Sequence, residues 1–170
     1  MRLLWDHSVE VSAISFLLAQ RLELGPPEEV QLAGLIHDVP IVSILGYAQS
    51  QSDLLERPPV LEARVKRLRP EIGERLLTSW NFPQNLLTAV TDSENRWRDS
   101  GPETDLADVV LIAQLFSFIG KSKPPGVPNI SRLPAFRKLS GGRLDADVVT
   151  QMLRTAEQQL AGLRALFSME

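Results

Sequence analysis

The 170-residue chain contains no cysteine, one tyrosine and only two histidines. Without thiols there are no disulfides and no thiolate nucleophiles or ligands, a composition suited to a reducing compartment. No segment alternates polar and apolar residues at period two over a useful length, so strands are not expected. Arg2, Asp6 and Glu10 interrupt the opening residues, which therefore lack the apolar core of a signal peptide. The longest apolar run, 109–120, is broken by Gln114 and is too short to cross a membrane. A net charge of −3 argues against general nucleic-acid binding, so DNA is not an expected partner. These absences point to a cytoplasmic protein with no membrane segment.

Hydrophobic residues make up 44% of the chain and charged residues 23%, the balance of an ordinary globular protein with one domain over 1–170. Apolar positions at helical spacing predict an all-α fold, a helical bundle. Residues 3–22 read as a first helix with His7, Val11, Ile14, Leu18 and Leu22 on one stripe. Gly25-Pro26-Pro27 ends it, and Pro27-Glu28-Glu29 starts a second, with acids where the helix dipole favours them. Pro40 should stop or kink that helix, leaving a turn or two over 41–47.

Residues 50–59 read as a polar loop and 61–68 as a short basic helix. Pro70 opens another helix with Ile72, Gly73, Leu76, Leu77 and Trp80 inward. Asn81-Phe82-Pro83-Gln84 has a capping-box pattern ahead of Leu86, Leu87 and Val90. Thr104 or Asp105 caps a helix that buries Val109, Ile112, Ala113 and Phe116. A Pro-rich loop spans 120–131. A long C-terminal helix spans 145–167, with a seam of Val149, Leu153, Ala156, Leu160, Leu163 and Phe167 that packs on its own bundle or pairs with another chain. Ser140-Gly141-Gly142-Arg143 reads as a turn.

The best candidate for chemistry is Leu32-Ala33-Gly34-Leu35-Ile36-His37-Asp38. His37 shares a buried stripe with Val30, Ala33 and Gly34, and a buried imidazole needs a partner, since leaving it unpaired costs about 1–3 kcal/mol. His7 lies on the inward stripe of the first helix. Two helices joined by a short turn pack antiparallel, so both imidazoles and Asp38 can face one cavity. That set suits a divalent transition metal with an open position; it suits equally a buried histidine bonded to carboxylate or backbone. From Lys121 to Arg143 there are six basic residues (Lys121, Lys123, Arg132, Arg137, Lys138 and Arg143) and no acid. They are a candidate dock for an anion or an acidic partner, or simply a solvated basic loop.

Trp5-Asp6-His7-Ser8, the Leu32–Asp38 run and Gly73-Glu74-Arg75-Leu76-Leu77-Thr78-Ser79-Trp80-Asn81-Phe82-Pro83 together resemble the HD superfamily, and within it the HDOD branch. The resemblance implies a helical bundle and a role in bacterial signalling rather than turnover. Such modules usually carry a further helical half before the Trp-x-His-Ser helix, so this chain is expected to match the later part of a larger module. An absent half would leave Leu3, Leu4 and Trp5 as exposed apolar surface that favours a homo-oligomer.

Carried over residue by residue, the HD metal set is His7, His37 and Asp38, with Gln114 where the last ligand, an Asp, is expected. Asp108 lies nearly two turns earlier and should not reach the same point. Arg69 stands where phosphodiesterase members have a histidine, Ser93 and Glu94 replace a His-His pair, and Pro40-Ile41 replaces Gly-Lys. A binuclear centre that activates water would lack most of its ligands.

Three functions follow as expectations. The first is a non-catalytic regulatory module with a protein partner, a degenerate metal site and no cofactor. The second is a metal-dependent phosphohydrolase or phosphodiesterase acting on a nucleotide. The third is a domain that senses a nucleotide second messenger without cleaving it, through the basic segment.

Overall fold

The computed structural model of the protein describes residues 2–121, 128–141 and 144–167. Among them every regular element is helical, as the spacing predicts. The order is α1 (Arg2–Leu22), α2 (Pro27–Ile36), α3 (Val39–Gln49), α4 (Ser52–Leu55), α5 (Pro58–Ser79), α6 (Gln84–Asp92), α7 (Leu106–Ser117), a 3-10 turn (Ile130–Arg132), α8 (Pro134–Ser140) and α9 (Ala146–Phe167).

The core is built around α7, which buries every residue from Ala107 to Ser117. A helix that is apolar all round must be surrounded; α1, α2, α6 and α8 pack against it. Asp105, one of the two residues expected to cap α7, accepts from the Asp108 N–H while the Asp108 carboxylate accepts from the Asp105 N–H. Met152, Ala156 and Leu160 of α9 are buried in the same core, and α9 lies against α1. The described part of the C-terminal seam thus packs on its own bundle; the side chains of Leu163 and Phe167 lie outside the described set.

The His37–Asp38 pair is not inside the second helix but at a corner between two. Pro40 cannot donate to the carbonyl of Ile36, and its ring crowds that carbonyl, so α2 ends and α3 restarts with a proline in its first turn. By length and composition alone Pro27–Gln49 could cross a membrane. It is bent at this corner, however, and contributes Val30, Ala33, Ile44 and Ala48 to the buried interior.

Four expectations are corrected. Pro70 does not open a helix; it lies inside the single helix α5. It is exposed, as is Lys66 one turn back, so the carbonyl that loses its partner faces solvent. The polar stretch 50–59 contains the short helix α4 and the start of α5. Asn81 caps no helix start. At a φ of 57° it closes α5, with the Phe82 N–H donating to the Leu77 carbonyl at 2.9 Å and the Asn81 N–H to Thr78 at 3.0 Å. Trp80, at that helix end, is 54% exposed rather than inward. The sequence also showed no sign of α8, which buries Ala135 and Leu139. The Pro-rich loop falls largely on 122–127, outside the described residues, as do Gly142 and Arg143 of the Ser140–Arg143 turn.

Candidate functional site at the corner between α2 and α3

A close helix contact places His37. A Cβ on Gly34 would lie 2.7 Å from Ser15 Oγ and 3.0 Å from Ser12 Cα, so only glycine lets α2 lie this near α1. Ser12 Oγ donates to the Gln31 carbonyl across the same seam at 3.1 Å. His37, fully buried, then donates from Nδ1 to the Gly34 carbonyl at 2.7 Å. A carbonyl can only accept, so this bond fixes the neutral tautomer with its lone pair on Nε2. Burial is the main force on this imidazole and lowers its pKa to about 4. Asp38 opposes that shift, while Arg69 and His7 add to it.

Asp38 occupies the N-cap position of α3 but makes no capping bond. Its carboxylate instead turns toward the histidines, with Oδ1 3.4 Å from His37 Nε2 and Oδ2 4.0 Å from His7 Nε2. The His7 ring meets that of His37 edge-on at 5.4 Å and stacks on Phe118 at 5.8 Å. His7, His37 and Asp38 therefore converge as the helical stripes predict, each offering an atom within 4.8 Å of the others.

The residue that sequence reasoning undervalued is Arg69. A Cβ on Gly73 would lie 2.9 Å from Val90 Cγ1 and 3.1 Å from Pro40 Cγ, so that glycine lets α5 close on the corner. One turn earlier Arg69 points inward, 7% exposed. It reaches Asp38 Oδ1 at 2.8 Å, the His37 carbonyl at 3.1 Å and Glu94 Oε1 at 2.8 Å. A signal was available: Arg69, Gly73 and Leu77 recur every four residues on the buried stripe of α5.

Gln114 lines the same cavity as His7, Asp38 and Arg69. Asp108 does not. It is fully buried elsewhere, with Arg98 Nη1 at 2.6 Å and Lys138 Nζ at 2.5 Å, as its distance along α7 predicts.

Residues 1–96 match the family model described as the HDOD domain. The chain belongs to the HDOD family. The fold is similar to the crystal structure of an HDOD domain protein with unknown function from Geobacter sulfurreducens, with 23% sequence identity and a TM-score of 0.66. That likeness covers 95% of this chain and 60% of the other, so the chain spans less than two thirds of that protein's length. No curated protein matches the sequence. Within this HDOD domain the matched segment holds His7, His37, Asp38, Arg69, Ser93 and Glu94, while Gln114 and the basic segment lie beyond it.

The basic segment does not form one patch among the described residues. Lys121 pairs with Glu10, and Lys138 is drawn inward to Asp108. Arg132 and Arg137 are exposed, and Lys123 and Arg143 fall outside the described residues. At the start of α1, Leu3 and Trp5 are 85% and 63% exposed.

Proposed function

We propose that this HDOD chain is a non-catalytic signalling module of the bacterial cytoplasm, acting through a protein partner, in which the HD corner organises the fold instead of turning over substrate. The observation that carries this reading is the Arg69–Asp38 ion pair. The guanidinium supplies, from within the chain, the positive charge that a metal would bring to Asp38.

One feature favours a bound cation: His37 Nε2 is buried, carries a lone pair and has no hydrogen-bond partner. The remaining residues oppose it. A divalent ion about 5 Å from the guanidinium would be repelled by roughly 7 kcal/mol at an effective dielectric of about 20. Gln114 offers a neutral amide where a carboxylate would offset that repulsion. The residues present therefore do not fit a resident divalent metal, and we derive no hydrolytic step through one. Nucleotide sensing by the basic segment is weakened as well, since Lys121 and Lys138 are already paired with acids.

The test is elemental analysis of protein purified without chelator, together with hydrolysis of bis-p-nitrophenyl phosphate in added Mn2+. The expected result is far less than one equivalent of transition metal, no turnover, and a Tm unchanged by EDTA. Arg69→Ala, freed of the internal cation, is expected to gain Tm when Mn2+ or Zn2+ is added. One equivalent of metal in the unmodified protein, lost in His37→Ala and accompanied by turnover, would overturn the proposal.

A further inference from the structure

The outward face of α5 carries Val60, Arg64, Arg67, Glu71, Glu74 and Thr78, at successive spacings of 4, 3, 4, 3 and 4 residues. All six are exposed, opposite the stripe of Arg69, Gly73 and Leu77 that packs inward. Alternating steps of four and three keep side chains on one continuous seam, the seam that one helix presents to another. Charge is sorted along it, basic at 64 and 67 and acidic at 71 and 74. Among the described residues Arg64, Arg67 and Glu74 form no ion pair, and Glu71 meets Arg75 one turn on, at 2.8 Å. An exposed pair of that i,i+4 kind is worth about 0.3–0.5 kcal/mol, so it does not commit Glu71.

A seam with this polarity is complementary to itself turned end for end. Laid antiparallel on a second copy, Arg67 faces Glu71 and Arg64 faces Glu74, and a two-fold axis repeats both pairs. A parallel arrangement would set arginine against arginine and glutamate against glutamate, which is unfavourable. The antiparallel register also brings the two ends of α5 together. Trp80, 54% exposed at the C-terminal end, comes level with Pro58 and Val60 at the start of the other copy's α5. Val60 is 41% exposed and Leu55, just ahead of α5, is 48% exposed. Charge pairs at the centre are thus flanked at both ends by apolar side chains that the single chain leaves in water.

We propose that the outward face of α5 is a self-association surface, through which two copies of this chain form an antiparallel, two-fold dimer. The 22 residues of α5 span about 33 Å, and a strip ~10 Å wide along them covers on the order of 330 Å2 per copy. Trp80 and Leu55 enlarge the contact at its ends, but it stays below the ~800 Å2 per copy of a standard interface. The dimer is therefore weak and forms as concentration rises. The seam faces away from Asp38, so pairing does not depend on whether the HD corner holds a metal.

Sedimentation velocity of the full chain from about 10 μM to about 1 mM should show a reversible monomer–dimer equilibrium, weaker in about 0.5 M salt than in about 0.05 M. Arg64→Glu combined with Arg67→Glu makes positions 64, 67, 71 and 74 all acidic. Glu71→Arg combined with Glu74→Arg makes them all basic. Each double variant alone should dimerise about tenfold or more weakly than wild type. An equimolar mixture of the two should recover dimer, because every facing pair is then opposite in charge. The substituted side chains are exposed, so Tm and helical content should stay near those of wild type. Trp80→Ser should weaken the dimer while leaving its salt dependence in place. A wild-type chain that stays monomeric throughout, a dimer that either double variant retains at full strength, or a mixture that stays monomeric overturns the proposal.

Discussion

Arg69 Nη2 lies 2.8 Å from Asp38 Oδ1, and the two side chains are only 8% and 6% exposed. A buried pair of this kind is costly to break from one side, because the remaining charge stays in a low-dielectric environment. Arg69→Met is expected to lose about 3–5 kcal/mol of stability. Adding Asp38→Asn removes the stranded charge and should recover a large part of that loss. Urea denaturation of the two single variants and the double variant measures the coupling; a loss in Arg69→Met below about 1 kcal/mol would contradict the buried-pair account.

His37 makes stability depend on pH in a defined direction. Its pKa is about 4 in the folded chain against 6.5 for the free side chain, so as pH falls the unfolded chain takes up the proton first. The stability contributed by the neutral imidazole is full above about pH 6.5 and is lost progressively down to about pH 4, amounting to roughly 3 kcal/mol. His37→Gln cannot titrate and should show a shallower fall in this window. Parallel pH-dependent curves for wild type and variant would disprove the assignment.

Gly34 is predicted to tolerate no side chain. Gly34→Ala drives a methyl to 2.7 Å from Ser15 Oγ and 3.0 Å from backbone, so a side chain and a helix must both shift. Overpacking of this type costs about 1–3 kcal/mol. Gly46→Ala in α3 is the control: nothing lies within 4 Å of its Cβ, and helix propensity favours alanine by up to about 1 kcal/mol. Thermal denaturation should move the two variants in opposite directions.

Asp108 is expected to be structural. Asp108→Ala leaves Lys138 without its buried partner and removes half of the capping box of α7. A loss of about 3 kcal/mol or more is expected in chemical denaturation.

The helical class, the burial of Val109, Ile112, Ala113 and Phe116 on α7 and the convergence of His7, His37 and Asp38 were legible because each depends on spacing along one or two neighbouring helices. The sequence misjudged punctuation. Asn81 looks like the start of a helix but closes the preceding one, because residue type alone does not say which carbonyl and N–H it will satisfy. Pro70 looks like a helix start but rides inside α5, because the carbonyl it leaves unpaired is solvated.

By itself the sequence determined the inward stripes of α1, α2 and α7, since the 3.6-residue period is a local property. It therefore determined that two imidazoles and a carboxylate meet, and that Gln114 rather than an acid stands in α7. Only the tertiary structure decided what balances that carboxylate. Arg69 is 31 residues from Asp38 along the chain and reaches it because Gly73 lets α5 close on Pro40. The same packing left Ser93 and Gln114 unpaired at one cavity. Charge matching and unmet donors depend on distances between helices that no local pattern encodes.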